Sequence, residues 1–118
     1  MSHTPDGAVS DALVVLLTGP DRDTMERLAR TLVEERLAAC VNLLDGLRSI
    51  YRWEGSVEQA DEVLAIVKTT RDRLGALERR VRELHPYDVP EIIALPVEGG
   101  SEAYLDWVSE SVRSSGGA

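Results

Sequence analysis

Three segments of this chain have the length of a β-strand and carry apolar residues on both of their faces. Successive side chains of a strand point to opposite faces, so a sheet with one face in water alternates apolar and polar residues. These segments do not alternate, and a sheet built from them must have both faces covered. They are Ala12 to Thr18, Val63 to Thr69, and Glu91 to Val97, which contains a proline typical of an edge strand or a bulge.

Helical spacing of apolar residues predicts two longer helices and a short one. The first begins at Asp23, where Glu26 three residues later makes a capping box. The second runs from about Asp72 to Leu84 and ends at His85, because the residue before a proline is pushed away from helical angles. The third begins after Ser101. Its inward residues are predicted to be Tyr104, Leu105, Val108 and Val112.

A further strand is predicted between the first two helices, and it is unusually long. It starts with Cys40 to Leu44, passes a turn or bulge signal at Asp45-Gly46, and continues extended from Leu47 to Glu54. Gly55 and the polar stretch after Val57 predict a hairpin connection to the next strand. A strand of this length exceeds the small sheet, so we expect a projecting ribbon that can pair with a neighbour's strand edge.

The predicted order is strand, helix, strand, strand, helix, strand, helix. The first six elements give an α+β fold, a ferredoxin-like split β-α-β sandwich with an extended β-hairpin, and the last is an additional C-terminal helix. The 118 residues divide into a flexible tail at 1–10, a single domain at 11–113 and a flexible tail at 114–118.

Two amphipathic helices cover only one face of the predicted sheet. The other face would expose an aliphatic patch larger than the few hundred Å² that a monomer usually tolerates. We therefore expect a second copy of the chain to cover that face. The alternative is that the third helix and the segment from Leu47 to Val57 fold back over it.

Composition restricts the partners and the compartment. Twenty-one acidic and thirteen basic residues give a net charge of −8, which argues against binding to nucleic acid or to an anionic membrane. No apolar stretch approaches the roughly 18 residues that a membrane span needs. The first residues lack the pattern of a secretory signal, so the predicted compartment is the cytoplasm. A single cysteine, Cys40, excludes an intrachain disulfide and a multi-cysteine zinc site.

Six stretches carry a family resemblance and together cover about residues 12 to 113. They are TGPD (Thr18 to Asp21), LVEERLAACVNLL (Leu32 to Leu44), SIYRWEG (Ser49 to Gly55), VKTTRDR (Val67 to Arg73), HPYDVPEIIALPV (His85 to Val97) and YLDWV (Tyr104 to Val108). With them the chain resembles the CutA (CutA1) family, the divalent-cation tolerance proteins. The resemblance implies a homotrimer similar in architecture to the PII signalling proteins, and a role in tolerance to copper and other divalent cations.

Four side chains are candidate metal ligands. A thiolate and an imidazole, from Cys40 and His85, suit copper or zinc, and the carboxylates of Asp88 and Glu91 widen the choice. The alternatives are that Cys40 is a small buried core residue and that His85 caps the helix end. The metal ion is predicted to be unnecessary for folding.

The resemblance implies only part of a copper site. Copper-site assignments in the family involve a cysteine in the first strand and adjacent histidines before the PY pair. In this chain Leu17 stands at the first position and Leu84 precedes His85, so only His85 is retained.

A second candidate site is a ligand pocket between subunits. Lys68 is the only lysine of the chain, and a partly buried ammonium needs an anion. Either Glu91 or a bound small anion can serve. The candidate lining residues are Lys68, Tyr51, Trp53 and Tyr87, with His85 beside them.

No catalytic arrangement is complete in the sequence. Cys40 and His85 lack a third, orienting group, and there is no Walker-type glycine run. We therefore predict a protein that is not an enzyme. The resemblance implies a function in divalent-cation tolerance with metal binding. The alternatives are a PII-like sensor that binds a small anionic ligand in the cleft between subunits and a trimeric scaffold with no ligand of its own.

Overall fold

The computed structural model of the chain describes residues 11–113. The tails predicted at 1–10 and 114–118 lie outside the described residues. The described part contains four strands and three helices. In chain order they are β1 (Ala12–Gly19), α1 (Arg22–Glu34), β2 (Cys40–Trp53), β3 (Ser56–Thr70), α2 (Arg71–Leu84), β4 (Ile92–Pro96) and α3 (Glu102–Ser111).

The strands form one antiparallel sheet in the order β2-β3-β1-β4. Because β3 lies between β1 and β2, the β1-α1-β2 unit is split, as the element order predicted. The ferredoxin-like α+β fold and the additional C-terminal helix are therefore confirmed. β4 pairs with β1 alone and is an edge strand, which explains how it accommodates Pro96.

One face of the sheet is covered by α1 and α2. Side chains of β1 and β3, such as Val15 and Val67, are fully buried there beneath Leu32 of α1 and Val81 of α2. The chain contains no Phe, so this core is built from aliphatic side chains and Met25. Gly19 allows Met25 to pack directly on the end of β1, because a Cβ at this position would lie 2.1 Å from the sulfur of Met25.

The face opposite α1 and α2, called the open face below, carries the other set of strand side chains. Leu64 and Ile66 of β3 are half-buried there. Three further apolar side chains on this face stay about half exposed. They are Leu44 at 52%, Ile93 at 47% and Leu95 at 45%.

The third helix covers one end of the open face. Val108 and Val112 are buried against Ala39, just before β2. Tyr104, expected to point inward, is 42% exposed.

The outer parts of β2 and β3, residues 47–62, form a two-stranded ribbon whose strands pair with each other within the chain. Its side chains are mostly exposed, including Ile50 and Val57. The segment therefore does not fold back over the open face, and α3 covers one end of that face.

The first helix starts two residues earlier than the sequence predicted. Asp21, not Asp23, is the N-cap, and its carboxylate accepts a hydrogen bond from Thr24 N at 2.8 Å. Asp21 has the extended backbone that an N-cap requires, whereas Asp23 is already inside the first turn.

The hairpin between β2 and β3 is tighter than predicted. Glu54 and Gly55 both have positive φ and make the turn, and Ser56 already pairs with Trp53. The polar stretch after Val57, predicted as connection, is therefore strand. The signal at Asp45-Gly46 is confirmed as a bulge, since the register shifts between Leu44 and Leu47.

Candidate functional site

The predicted site residues fall at two opposite ends of the sheet. Cys40 pairs with Lys68, which in turn pairs with Val14 of β1. His85 contacts Thr18, four residues further along β1. Four residues of strand span about 13 Å, so Cys40 and His85 belong to separate sites within one chain.

His85 is buried at the end of α2 with both ring nitrogens in hydrogen bonds. Its Nε2 lies 2.7 Å from the Thr18 carbonyl oxygen, and its Nδ1 accepts a hydrogen bond from Tyr87 N at 3.1 Å. These partners make Nε2 the protonated nitrogen of a neutral ring. A metal ion can therefore bind His85 only if one of these hydrogen bonds is broken.

Tyr87 extends this arrangement to the base of the ribbon. Its ring lies 4.6 Å from that of His85, and its hydroxyl donates a hydrogen bond of 2.8 Å to Glu62 Oε2. Burial raises the pKa of Tyr87 to about 12, and the bond to Glu62 adds to the rise. Tyr87 is therefore a protonated donor at neutral pH, and it ties the loop after α2 to β3.

The two carboxylates of the loop between α2 and β4, Asp88 and Glu91, are exposed. Within residues 11–113, no three His, Cys, Asp or Glu side chains lie together as a metal site would require. The four predicted ligands of one chain therefore do not make a preformed metal centre.

The other end of the sheet carries a polar cluster on the open face. Lys68 Nζ donates a hydrogen bond to Asn42 Oδ1, and the Cys40 thiol lies 3.8 Å from the same oxygen. Tyr104 of α3 lies beside Cys40. Burial raises the pKa of Tyr104, and the neighbouring thiol adds to the rise. We call Cys40, Asn42, Lys68 and Tyr104 the Lys68 cluster.

Two members of the Lys68 cluster were missed by sequence reasoning. Asn42 follows Cys40 by two residues, and this period-2 spacing could have placed both on one face. Tyr104 was interpreted as a packing residue. The partner of Lys68 is the amide of Asn42 and not Glu91, because Glu91 lies at the His85 end of the sheet.

Tyr51 and Trp53, predicted to share a pocket with Lys68, lie on the ribbon. They pair across it with Glu58 and Ser56 and are 43% and 54% exposed. Tyr51 is near Tyr87. Lys68 is six residues from Glu62 on β3, about 20 Å, so one chain does not bring these residues together around Lys68.

Within residues 11–113, no helix is both long enough and apolar enough to cross a membrane.

The fold and the loop geometry define a small α+β protein with two separated polar sites. The family model described as "CutA1 divalent ion tolerance protein" matches residues 13–111. The chain belongs to the CutA1 family.

Individual relatives agree with this assignment. A relative from Thermus thermophilus, "Divalent-cation tolerance protein CutA", is 53% identical over 98 residues, which are 83% of this chain and 95% of the relative. The solved structure of a Cut A1 protein from the same organism superposes with a TM-score of 0.84 at 52% identity, covering 85% of this chain and 97% of the other. "Protein CutA, chloroplastic" from Arabidopsis thaliana is 47% identical over 86% of this chain and 56% of the relative.

Proposed function

We propose that this protein is a homotrimeric divalent-cation tolerance protein that binds divalent metal and catalyses no reaction. The observation that carries the function is family membership: the CutA1 divalent ion tolerance model matches residues 13–111, and the Thermus thermophilus relative that is matched over 95% of its length is named a divalent-cation tolerance protein. Two features of the chain support an assembly of several copies. The first is the apolar surface that α1 and α2 leave uncovered, and the second is that the candidate metal donors lie apart within one chain.

The uncovered apolar surface supports the assembly. Leu44, Ile93 and Leu95 form one half-exposed set on the open face, which neither α1 nor α2 covers. The ribbon adds exposed Trp53 and Val57 on a two-stranded structure, which is marginally stable alone in water. Burying both surfaces between copies stabilises the protein by roughly 25 cal/mol for each Å² of apolar area removed from water.

Metal binding in this proposal uses donors from more than one copy. Cys40 is half-buried, and Asp88 and Glu91 are exposed, so these three can meet donors of a neighbour. His85 joins them only if it gives up Tyr87 N or the Thr18 carbonyl. A thiolate with carboxylates suits copper or zinc.

Native mass spectrometry with Cu²⁺ and Zn²⁺ tests this proposal, because it reports the number of chains and of metal ions together. We expect Cys40→Ser and Asp88→Asn each to lower the number of ions retained per assembly, since each removes a donor. Glu34→Gln, an exposed carboxylate change on α1, is the matched control and should leave retention unchanged. Equal retention by the wild type, Cys40→Ser and Asp88→Asn would contradict the proposed ligands.

Removing metal should leave the fold intact. The core beneath α1 and α2 is aliphatic and complete within one chain, and none of the proposed ligands belongs to it. We expect the melting temperature after dialysis against EDTA to stay within about 2 °C of the starting value, less than a loss of 1 kcal/mol produces in a domain of this size. A shift of 10 °C or more would show that metal is part of the folded state.

Three further features complete the proposal. The net charge of −8 disfavours nucleic acid and anionic membranes as partners. The cytoplasm is the proposed compartment, although two relatives are named chloroplastic. Catalysis is not proposed, because His85, the natural partner for a Cys40 nucleophile, lies at the other end of the sheet.

A second candidate function is a PII-like sensor of a small anionic molecule. One observation favours it: Lys68 is half-buried, and its hydrogen-bond partner is the neutral amide of Asn42. An ammonium in such a place is stabilised by an anion. A screen of small anions against the wild type tests this function, which requires at least one anion that binds saturably. Repeating the screen with Lys68→Met shows whether Lys68 holds that anion.

A further inference from the structure

We propose that the Lys68 cluster is a binding site for a small oxyanion, the carboxylate or phosphate group of a small molecule. Lys68 supplies the charge, and Tyr104 and Asn42 supply further donors. This inference rests on the second proposed function and assigns the anion to this end of the open face, away from Tyr51, Trp53 and Tyr87.

The charge of Lys68 is not balanced inside the described chain. Among residues 11–113, no carboxylate forms an ion pair with its ammonium, although six other pairs of cation and carboxylate do form. Those cations are all arginines. The one lysine instead lies half-buried on a sheet face with a neutral partner. A partly desolvated cation of this kind favours an anion that can reach it.

The cluster also holds more hydrogen-bond donors than acceptors. Lys68 has three N–H donors, the Asn42 amide has two, and the Tyr104 hydroxyl, which is hydrogen-bonded with the Cys40 thiol, has one. The strongest acceptor among them is Asn42 Oδ1, and it already receives Lys68 and faces the Cys40 thiol. A ligand oxygen that carries negative charge satisfies this surplus.

The surroundings strengthen the attraction. Lys68 pairs with Val14 of β1, and Val14 pairs with Leu95 of β4, so aliphatic side chains border the cluster on the sheet. Trp107 of α3 packs against Tyr104, with 5.5 Å between ring centroids and 37° between the ring planes, and is 46% exposed. An ion pair beside apolar surface is screened less than one in open water. Trp107 also provides an apolar contact for the carbon part of a ligand.

The single lysine makes a direct experiment available. In protein labelled with ¹⁵N-lysine, Lys68 gives the only side-chain ammonium signal. Inorganic phosphate, sulfate and acetate are titrated separately against chloride at constant ionic strength. We expect a saturable shift of the ammonium signal with at least one of them. A stronger response to phosphate than to acetate assigns a phosphate-bearing ligand, and the reverse assigns a carboxylate.

Variants separate this site from a general salt effect, with Trp107 fluorescence as the readout in a Trp53→Phe background. Lys68→Met should abolish the response, and Lys68→Arg should retain it. Tyr104→Phe should raise the half-saturating concentration about tenfold, the effect of one hydrogen bond to a charged group. Arg48→Met removes a remote, exposed ribbon cation and should leave the response unchanged.

Two outcomes would overturn the assignment. The first is the absence of a saturable shift with all three anions, as expected if a carboxylate of a neighbouring copy already occupies Lys68. The second is a response that survives Lys68→Met. If some other anion in the screen still binds in a Lys68-independent way, the assigned site fails while anion sensing stands. If nothing binds at all, both fail, and the metal proposal is untouched.

Discussion

Replacing Ile93 with Glu should dissociate the assembled protein into single folded chains. Ile93 lies on edge strand β4, 47% exposed on the open face, opposite Leu16 of β1. If copies of the chain bury this face, each copy of the variant brings an unpaired carboxylate into the interface. An uncompensated buried charge costs at least about 3 kcal/mol, and the cost recurs at every equivalent contact.

The single chain should survive this substitution as a folded unit. The core under α1 and α2 consists of side chains on the opposite sheet face, such as Val15 and Leu17, and does not include Ile93. Circular dichroism of Ile93→Glu should therefore keep the wild-type helix and strand signal while light scattering reports one third of the wild-type mass.

Val33→Glu is the matched control for this experiment. Val33 is 42% exposed, close to the value for Ile93, but it lies on α1, away from the open face. It should keep the wild-type mass. A wild type that is already a single chain at micromolar concentration would refute the trimer. An Ile93→Glu variant that keeps a trimeric mass would instead refute burial of the open face between copies.

The fold could be predicted because its signals are local. Strands apolar on both faces and helices with regular apolar spacing each require only a few neighbouring residues to recognise. The errors were also local. Asp21 and Asp23 are the same residue type and both can cap a helix. The choice between them depends on which one has the extended backbone of an N-cap, and in the structure it is Asp21. Glu54 adopts positive φ, which sequence propensity does not favour outside glycine.

The candidate sites could be predicted only in part, because strand register decides which residues meet. Sequence reasoning selected Cys40, His85 and Lys68 by their chemistry. The register of β2, β3 and β1 then places Cys40 beside Lys68 and both far from His85. Separations of this kind follow from pairings between residues distant in the chain, and no short motif specifies them. The partners of His85, a backbone carbonyl and a backbone N–H, carry no sequence signal at all.

Replacing His85 with Ala should destabilise the protein by about 3 kcal/mol, the second large effect we expect. The variant loses two hydrogen bonds and leaves the Thr18 carbonyl and the Tyr87 N–H without their partner. Each unsatisfied buried group costs about 1 to 3 kcal/mol. Loss of the buried ring adds a cavity term. Urea unfolding at matched protein concentration measures the change.

Two partial replacements test whether both ring nitrogens contribute. The Asn side chain can place an oxygen near the position of Nδ1, and the Gln side chain can place an N–H near that of Nε2. We expect His85→Asn and His85→Gln each to recover part of the stability that His85→Ala loses. Tyr87→Phe, which removes only the hydroxyl bond to Glu62, should cost about 1 kcal/mol.

The same variants distinguish a structural histidine from a metal ligand. If His85 acts by holding the loop after α2, its replacement destabilises the protein equally with and without EDTA. If His85 acts as a ligand, the loss of stability appears only when metal is present, and in EDTA the variant matches the wild type. We expect the first result, because both ring nitrogens of His85 are already hydrogen-bonded within the chain. If His85→Ala also retains less metal, the loss should then follow from displacement of Asp88 and Glu91 together with their loop.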